Sequence, residues 1–395
     1  MERDLDLVLF GATGFTGRLV AEYLARASDK PRWAIAGRDP NKLQALGLDV
    51  PVLVADAHDP ESLGDLARRT KVVCTTVGPY AKYGSELVAA CVAAGTHYCD
   101  LCGELPWMRR MIDTHHAHAR ETGARIVHSC GFDSIPSDLG TWALQQEMIA
   151  AFGAPATKVT GLFGESSGGL SGGTVASGIE TAREGFASRE VRKLLANPYA
   201  LDPDPHAERP RAPDETSIRW ERHLRMFTVP FLMAPFNTRI VRRAHALAGF
   251  PWGEDFVYRE VMSTPGSPRG LAMAVGITGG LAAMSLALRQ PWLREQLAQR
   301  APQPGEGPSA EKRARGHWKA RFLGERADDH LLYVVGDAHG DPGYASTSRM
   351  LGEAALCLAL DPLTSEGGVL TPSVAMGDAL VTRLRRAGLT FEVAS

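Results

Sequence analysis

The first forty residues of this 395-residue sequence constrain its fold more than any other stretch. Leu5-Asp-Leu-Val-Leu-Phe10 is a short apolar run ending at Gly11, and apolar side chains at helical spacing follow, from Phe15 through Leu19, Val20, Tyr23 and Leu24. Strand, tight turn and helix are thereby predicted in succession. The turn carries Gly11-Ala-Thr-Gly14-Phe-Thr-Gly17. In a G-x-x-G-x-x-G at this place the glycines let the backbone turn sharply, approach a pyrophosphate and pack the helix onto the strand. The N–H groups at the helix start then face the phosphates. Gly11, Thr13, Gly14, Phe15, Thr16 and Gly17 are accordingly cofactor-binding candidates.

A second strand, Arg32-Trp-Ala-Ile-Ala36, ends in Gly37-Arg38. A carboxylate here would bind the ribose 2′-OH of NAD, whereas Arg38 suits the 2′-phosphate of NADP, so NADPH is the expected cofactor. The alternative for Arg38 is a surface residue in the turn before Asp39-Pro40. Arg18 and Lys42 are secondary candidates for the same phosphate. Val50–Ala55 reads as a third strand, with Asp56 placed to hydrogen-bond the adenine amino group or to cap the next helix. Lys71–Val77 reads as a fourth. Val77, Gly78 and Pro79 at its end run beside the cofactor, with the nicotinamide expected beyond them. A further strand, Arg125–Ser129, leads into Cys130-Gly-Phe-Asp133-Ser-Ile-Pro136.

From about residue 137 the pattern changes. A helix is expected over Leu139–Ala151, a strand near Lys158–Phe163, and a glycine-rich loop over 164–174 that either holds an anion or covers a substrate. The five prolines of 198–214, set among charged residues, read as an exposed excursion, and 301–316 is a similar polar stretch. Late elements are a strand His330–Val335, a helix Ser346–Leu360 and a helix 374–387, the C-terminus packing back on the first domain.

Composition narrows the function. With 44% apolar and 22% charged residues the chain is a folded protein, and a net charge of −2 offers no field for a nucleic-acid backbone. A small-molecule partner is expected. The start Met1-Glu-Arg-Asp-Leu-Asp lacks a basic, apolar leader, so a cytoplasmic protein is expected. Cys99 and Cys102 form a C-x-x-C to which His97 and His128 could be recruited, but without a second pair buried thiols are the expectation and no metal is assigned. Leu271–Leu288 is eighteen residues without a charge between Arg269 and Arg289, containing Gly276-x-x-x-Gly280. Its glycines and alanines favour a buried or dimer-forming element or membrane-surface contact over a true span.

Four motifs carry a resemblance: Gly11-Ala-Thr-Gly-Phe-Thr-Gly-Arg18, Gly78-Pro-Tyr-Ala-Lys-Tyr-Gly84, Tyr98-Cys-Asp-Leu-Cys-Gly-Glu104 and Gly131-Phe-Asp-Ser-Ile-Pro-Ser-Asp138. Together they resemble the saccharopine dehydrogenase-like oxidoreductases, and within these most the trans-acting enoyl reductases. Ser171-Gly-Gly-Thr174, Pro235-Phe-Asn-Thr-Arg239, Gly305-Glu-Gly-Pro-Ser309 and Gly340–Ser348 extend the similarity along nearly the whole chain. The resemblance implies an α/β protein: an N-terminal Rossmann domain with a doubly wound parallel sheet (1–132), an inserted α+β substrate domain (133–344) and a C-terminal return onto the Rossmann domain (345–395). It also implies NADPH-dependent reduction of an enoyl thioester, polyketide or fatty-acyl, on a carrier protein. Hydride would go to the β-carbon and a proton to the α-carbon.

The proton donor is less constrained. None of the eight tyrosines has a lysine four residues on, which disfavours short-chain dehydrogenase chemistry. Tyr80 and Tyr83 lie just past the fourth strand and Asp133 at the domain junction, so these three are the catalytic candidates; their structural alternatives are packing on the cofactor and capping the next helix. Ser134, beside Asp133, is a further candidate to orient the substrate. Two rival functions remain. A saccharopine-type imine dehydrogenase would gather arginines for substrate carboxylates, and Arg222, Arg225, Arg239, Arg242 and Arg243 are available, the last three alternatively forming a solvated or membrane-facing side. A non-catalytic NADP-binding protein at a lipid surface is the other.

Overall fold

The computed structural model describes residues 3–167, 172–293, 296 and 307–394, with backbone alone at 172–176. Residues 168–171 of the glycine-rich loop and 301–306 of the polar stretch lie outside the described residues, as do Ser171 and Gly305 of the motifs above.

The first sheet is built from β1 (Leu5–Phe10), β2 (Trp33–Gly37), β3 (Val52–Val54), β4 (Thr70–Thr75), β5 (His97–Cys99) and β6 (Arg125–Val127), completed by Gly368–Leu370 near the C-terminus. Its seven strands run in the order Gly368–Leu370, β6, β5, β4, β1, β2, β3, every pairing parallel. The central strands β1, β2 and β4 are buried on both faces, which explains their apolar runs in the sequence. The exception is Asp6 on β1: burial would raise its carboxyl, but Arg32 and Lys71, at 3.1 and 3.0 Å, hold it down to about 2.

The second sheet is mixed. It contains β7 (Lys158–Ser166), β8 (Arg219–Glu221), β9 (Met226–Pro230), β10 (Val257–Thr264), β11 (Trp318–Arg326), β12 (Asp329–Asp337) and a last strand, Thr390–Val393. The order is Thr390–Val393, β12, β11, β7, β10, β9, β8, with β7 and β10 parallel and the other pairs antiparallel. The chain beyond residue 345 thus supplies one edge strand to each sheet.

Helix Ile135–Phe152 joins the two halves. It starts four residues before the expected Leu139 because Pro136 suits the first turn, where its missing N–H costs nothing. Its Gly140 lies so close to the Phe322 ring that a Cβ would sit 2.7 Å away. Helix Thr347–Leu360 packs on helix Phe15–Ala25 and on β1, β4 and β5. At that crossing Gly352 clears the Tyr23 ring, and the Tyr23 hydroxyl donates to Glu353. One continuous core runs from Leu7, Leu9 and Val72 through Leu139, Leu144 and Leu351 to Phe322 and Tyr333 of the second sheet.

Two expectations are corrected. The segment 198–214 is anchored: Ala200, Leu201, Asp202 and Ala212 are buried. Three buried arginines hold its main chain, Arg109 donating to Asp202 O at 2.8 Å, Arg242 to Pro198 O at 2.9 Å, and Arg243 to Leu201 O, and a fourth, Arg239, pairs with the Asp214 side chain. Arg239, Arg242 and Arg243 therefore do not form a solvated side. Second, the uncharged stretch forms one unbroken helix, Pro268–Ala287, and it is not part of the protein's own core, since only Gly270 and Ala274 are buried.

Candidate functional site

The carboxyl ends of β1, β2 and β4 converge on the glycine loop, where an open parallel sheet of this order accepts a dinucleotide. Gly11 N–H donates to Ala36 O at 2.9 Å and Thr76 N–H to Phe10 O at 3.1 Å, so the loop hangs from both neighbouring strands. The glycines have separate reasons. Gly11 has φ +95°, and a Cβ there would meet Val77 at 2.6 Å; at Gly17 a Cβ would lie 2.1 Å from Gly11 O. Only glycine fits either place. Gly14 is exposed and precedes helix Phe15–Ala25 without a side-chain cap, so the N–H groups of the first turn face outward.

Phe15 is covered from the other half of the molecule. Tyr344 meets it edge-on at 4.8 Å, Arg313 lies 5.4 Å over its ring, and Gly307 touches it. Arg38 is exposed, and no described side chain pairs with it. The adjacent Asp39 is committed locally, accepting from Asn41 and Lys42 N–H to cap helix Pro40–Gln44, with the Lys42 ammonium 3.9 Å away. Asp56 accepts from His58 N–H at 2.9 Å. The helix cap that the sequence offered as its alternative belongs instead to Asp59, which accepts from Glu61 N–H.

Past β4 the three proton-donor candidates separate. Tyr80 is buried: its hydroxyl donates to Thr75 O at 3.3 Å and accepts from Leu101 N–H at 3.1 Å. Burial, then the Asp100 charge, pushes this phenol well above its ordinary pKa. Tyr83 is half-buried, its ring 5.3 Å from His58, two residues beyond Asp56. Asp133 is half-buried in the turn after β6; burial and then the Asp100 and Glu104 charges raise the Cys102 thiol's pKa, and Asp133 adds to them. Burial lifts the Asp133 carboxyl to about 6. It does not cap the following helix, whose N-cap is the buried Ser134, its hydroxyl donating to Asn237 Oδ1 at 3.2 Å and not to the helix's own N–H groups, and no described residue bonds the Asp133 carboxyl.

Sequence reasoning missed the group that shapes this floor. The buried Glu104 accepts from Tyr80 N–H at 2.9 Å and Ala81 N–H at 2.8 Å, fixing the turn after Gly78-Pro79. Its Oε1 also accepts from Ser177 at 3.1 Å on helix Gly172–Ala187, which Lys82–Glu180 and Arg110–Glu184 contacts of 3.8 Å hold to the same edge. Beneath lies a second buried carboxylate, Asp100, bonded to His128 Nδ1 at 2.7 Å, the Tyr98 hydroxyl at 2.9 Å and Ser129 N–H at 3.0 Å. The signal is the motif Tyr98–Glu104, in which carboxylates lie between and after Cys99 and Cys102. Both cysteines are free and buried.

An outward-facing helix start, a glycine cradle that a Cβ would fill, and an unpaired Arg38 at the end of β2 fit a dinucleotide carrying an additional phosphate. Comparison with known proteins agrees. Residues 7–127 match the saccharopine dehydrogenase NADP binding domain. A Mycobacterium tuberculosis protein assigned by its name to the trans-acting enoyl reductases is 44% identical over 420 residues, covering 99% of this chain and 97% of the relative. The trans-acting enoyl reductase of Mycobacterium ulcerans is 41% identical over 410 residues, covering 98% and 97%. Among solved structures, apo saccharopine dehydrogenase (L-Glu forming) from Saccharomyces cerevisiae shares the fold, with TM-score 0.53 at 14% identity over 98% of this chain and 99% of that one. The chain belongs to the saccharopine dehydrogenase-like oxidoreductases, in the group of the trans-acting enoyl reductases, and is an NADP-dependent oxidoreductase.

Proposed function

We propose that the protein reduces the carbon–carbon double bond of an enoyl thioester, a polyketide or fatty-acyl chain presented by a carrier protein. In this reading residues 1–132 hold the cofactor, 133–344 the substrate, and 345–395 close the structure. Gly11, Thr13, Gly14, Phe15, Thr16 and Gly17 take the pyrophosphate, Arg38 the 2′-phosphate, and Asp56 the adenine, with Tyr83 beside it. Val77, Gly78 and Pro79 border the nicotinamide. Bound NADPH supplies the hydride for the β-carbon.

The observation that carries the reading is Asp133, a carboxyl lifted to about 6 by burial and bonded to no described residue. A group with pKa near working pH is suited to give a proton in the transition state, here to the α-carbon, and to regain one from water. Tyr80 has both hydroxyl roles filled within the fold, so we assign it to packing. Against imine reduction, Arg239, Arg242 and Arg243 are directed at Asp214 and main-chain carbonyls, leaving no buried arginine cluster for substrate carboxylates among the described residues. The test is kcat/KM against pH with a 2-enoyl pantetheine thioester. It should fall as pH rises through about 6. Asp133→Asn should lower kcat at least about a hundredfold and remove that limb; an unchanged profile would take the proton-donor role from Asp133.

A further inference from the structure

Helix Pro268–Ala287 has no acyl, cofactor or core role in the account above, yet it is the most apolar exposed surface described. Leu271, Met273, Val275 and Leu286 are 42%, 54%, 57% and 60% exposed, and from Val275 to Leu288 no residue is buried. A helix apolar on all sides normally lies inside protein or lipid. Nothing within 4 Å would meet a Cβ at Gly276, Gly279 or Gly280, so no described part of this chain packs there.

The charges around it discriminate between occupants. Arg269 and Arg289 bracket the helix, and Arg222 and Arg225 sit in the tip of the β8–β9 hairpin at its base, where Gly266 abuts Arg225 O and the Trp220 ring. All four arginines are exposed, and none makes an ion pair among the described residues. From Pro265 to Trp292 the sequence contains no carboxylate. Two copies pairing through this helix would bring arginines together with no acid to face them. An anionic lipid surface supplies the complement. Trp220 and Trp292, 47% and 58% exposed, stand at the two ends, the headgroup level that tryptophan prefers.

We infer that this helix docks the protein on an anionic membrane surface. The exposed face beyond Ala274, from Val275 and Gly276 to Leu286, sinks below the headgroups, while Ile277, Leu281 and Met284 stay half-buried; the arginines remain at phosphate level, their stems covering apolar surface. The helix lies along the surface and does not cross it: by Gly307 the chain is again on the body, packed on Phe15. This inference stands independently of the proposed reaction.

The test is co-sedimentation of the full chain with phosphatidylcholine vesicles, with and without phosphatidylglycerol, alongside light scattering for mass. Binding is expected only with phosphatidylglycerol and should weaken with salt. Val275→Glu, at an exposed site, should abolish it while leaving NADPH binding and melting temperature unchanged. Arg269→Gln and Arg289→Gln should each weaken it about fivefold. Failure to bind phosphatidylglycerol vesicles would overturn the inference, as would a dimer that Val275→Glu dissociates while wild type ignores vesicles.

Discussion

Arg38 and Asp133 owe their proposed roles to what does not surround them. Arg38 has no described partner while its neighbour Asp39 is consumed by a helix cap, so its guanidinium is free for a phosphate. Hydrogen bonds to a charged group contribute about 1.5–3 kcal/mol. Arg38→Asp should therefore weaken NADPH binding about ten- to a hundredfold and NADH far less, as read by nucleotide fluorescence titration; equal losses would remove Arg38 from the phosphate site. The glycine loop and the Tyr98–Glu104 motif are legible in the sequence because they depend on local spacing, and so is the place of Arg38 at the end of β2. The function of Glu104 is not, because it acts on Tyr80 and Ala81, more than twenty residues away, through a turn that only the folded sheet edge brings near.

Elements differ in legibility for a physical reason. The first sheet is readable because its central strands β1, β2 and β4 are buried on both faces and are mostly apolar. The second is largely not: β10 carries Arg259 and Glu260 in its middle, and β11 alternates charged and apolar residues. Glu260 tolerates burial because Asn237 donates to it at 2.9 Å, Tyr258 at 2.7 Å, and Ser137 as well. Helix Pro268–Ala287 is unbroken because a glycine within a helix costs about 1 kcal/mol and does not stop it. Helix Ala234–Leu247 turns its arginines inward because the carbonyls of 195–212 await them. Arg243→Ala would leave Leu201 O and Val369 O unpaired. It should cost about 3 kcal/mol of stability and speed amide exchange in 198–214 ahead of the β1–β4 core; uniform exchange would show that the anchor is not local.

Across the whole molecule, buried carboxyls make stability depend on pH. Asp138, which caps helix Pro372–Arg386 through Ser373, and Glu260 are both lifted to about 7 by burial. Unfolded carboxyls titrate near about 4, so above that the folded chain retains protons the unfolded chain has lost, and stability falls as pH rises toward about 7. The buried His245 and the half-buried His97, His115 and His116, their pKa values lowered by desolvation, oppose this below about 6.5, the ordinary histidine value. The unopposed window runs from about 6.5 to about 8. Melting temperature should drop across it, and Glu260→Gln should flatten the drop; a rise would contradict the assignment.

The central claim is the reduction of an enoyl thioester by NADPH. The most direct measurement offers the purified protein a 2-enoyl thioester with NADPH deuterated at the transferable position, beside a reaction with an oxo acid plus lysine, and reads the products by mass spectrometry. The account predicts a saturated thioester with deuterium at the β-carbon and no secondary amine. Deuterated amine with untouched enoyl thioester would contradict it.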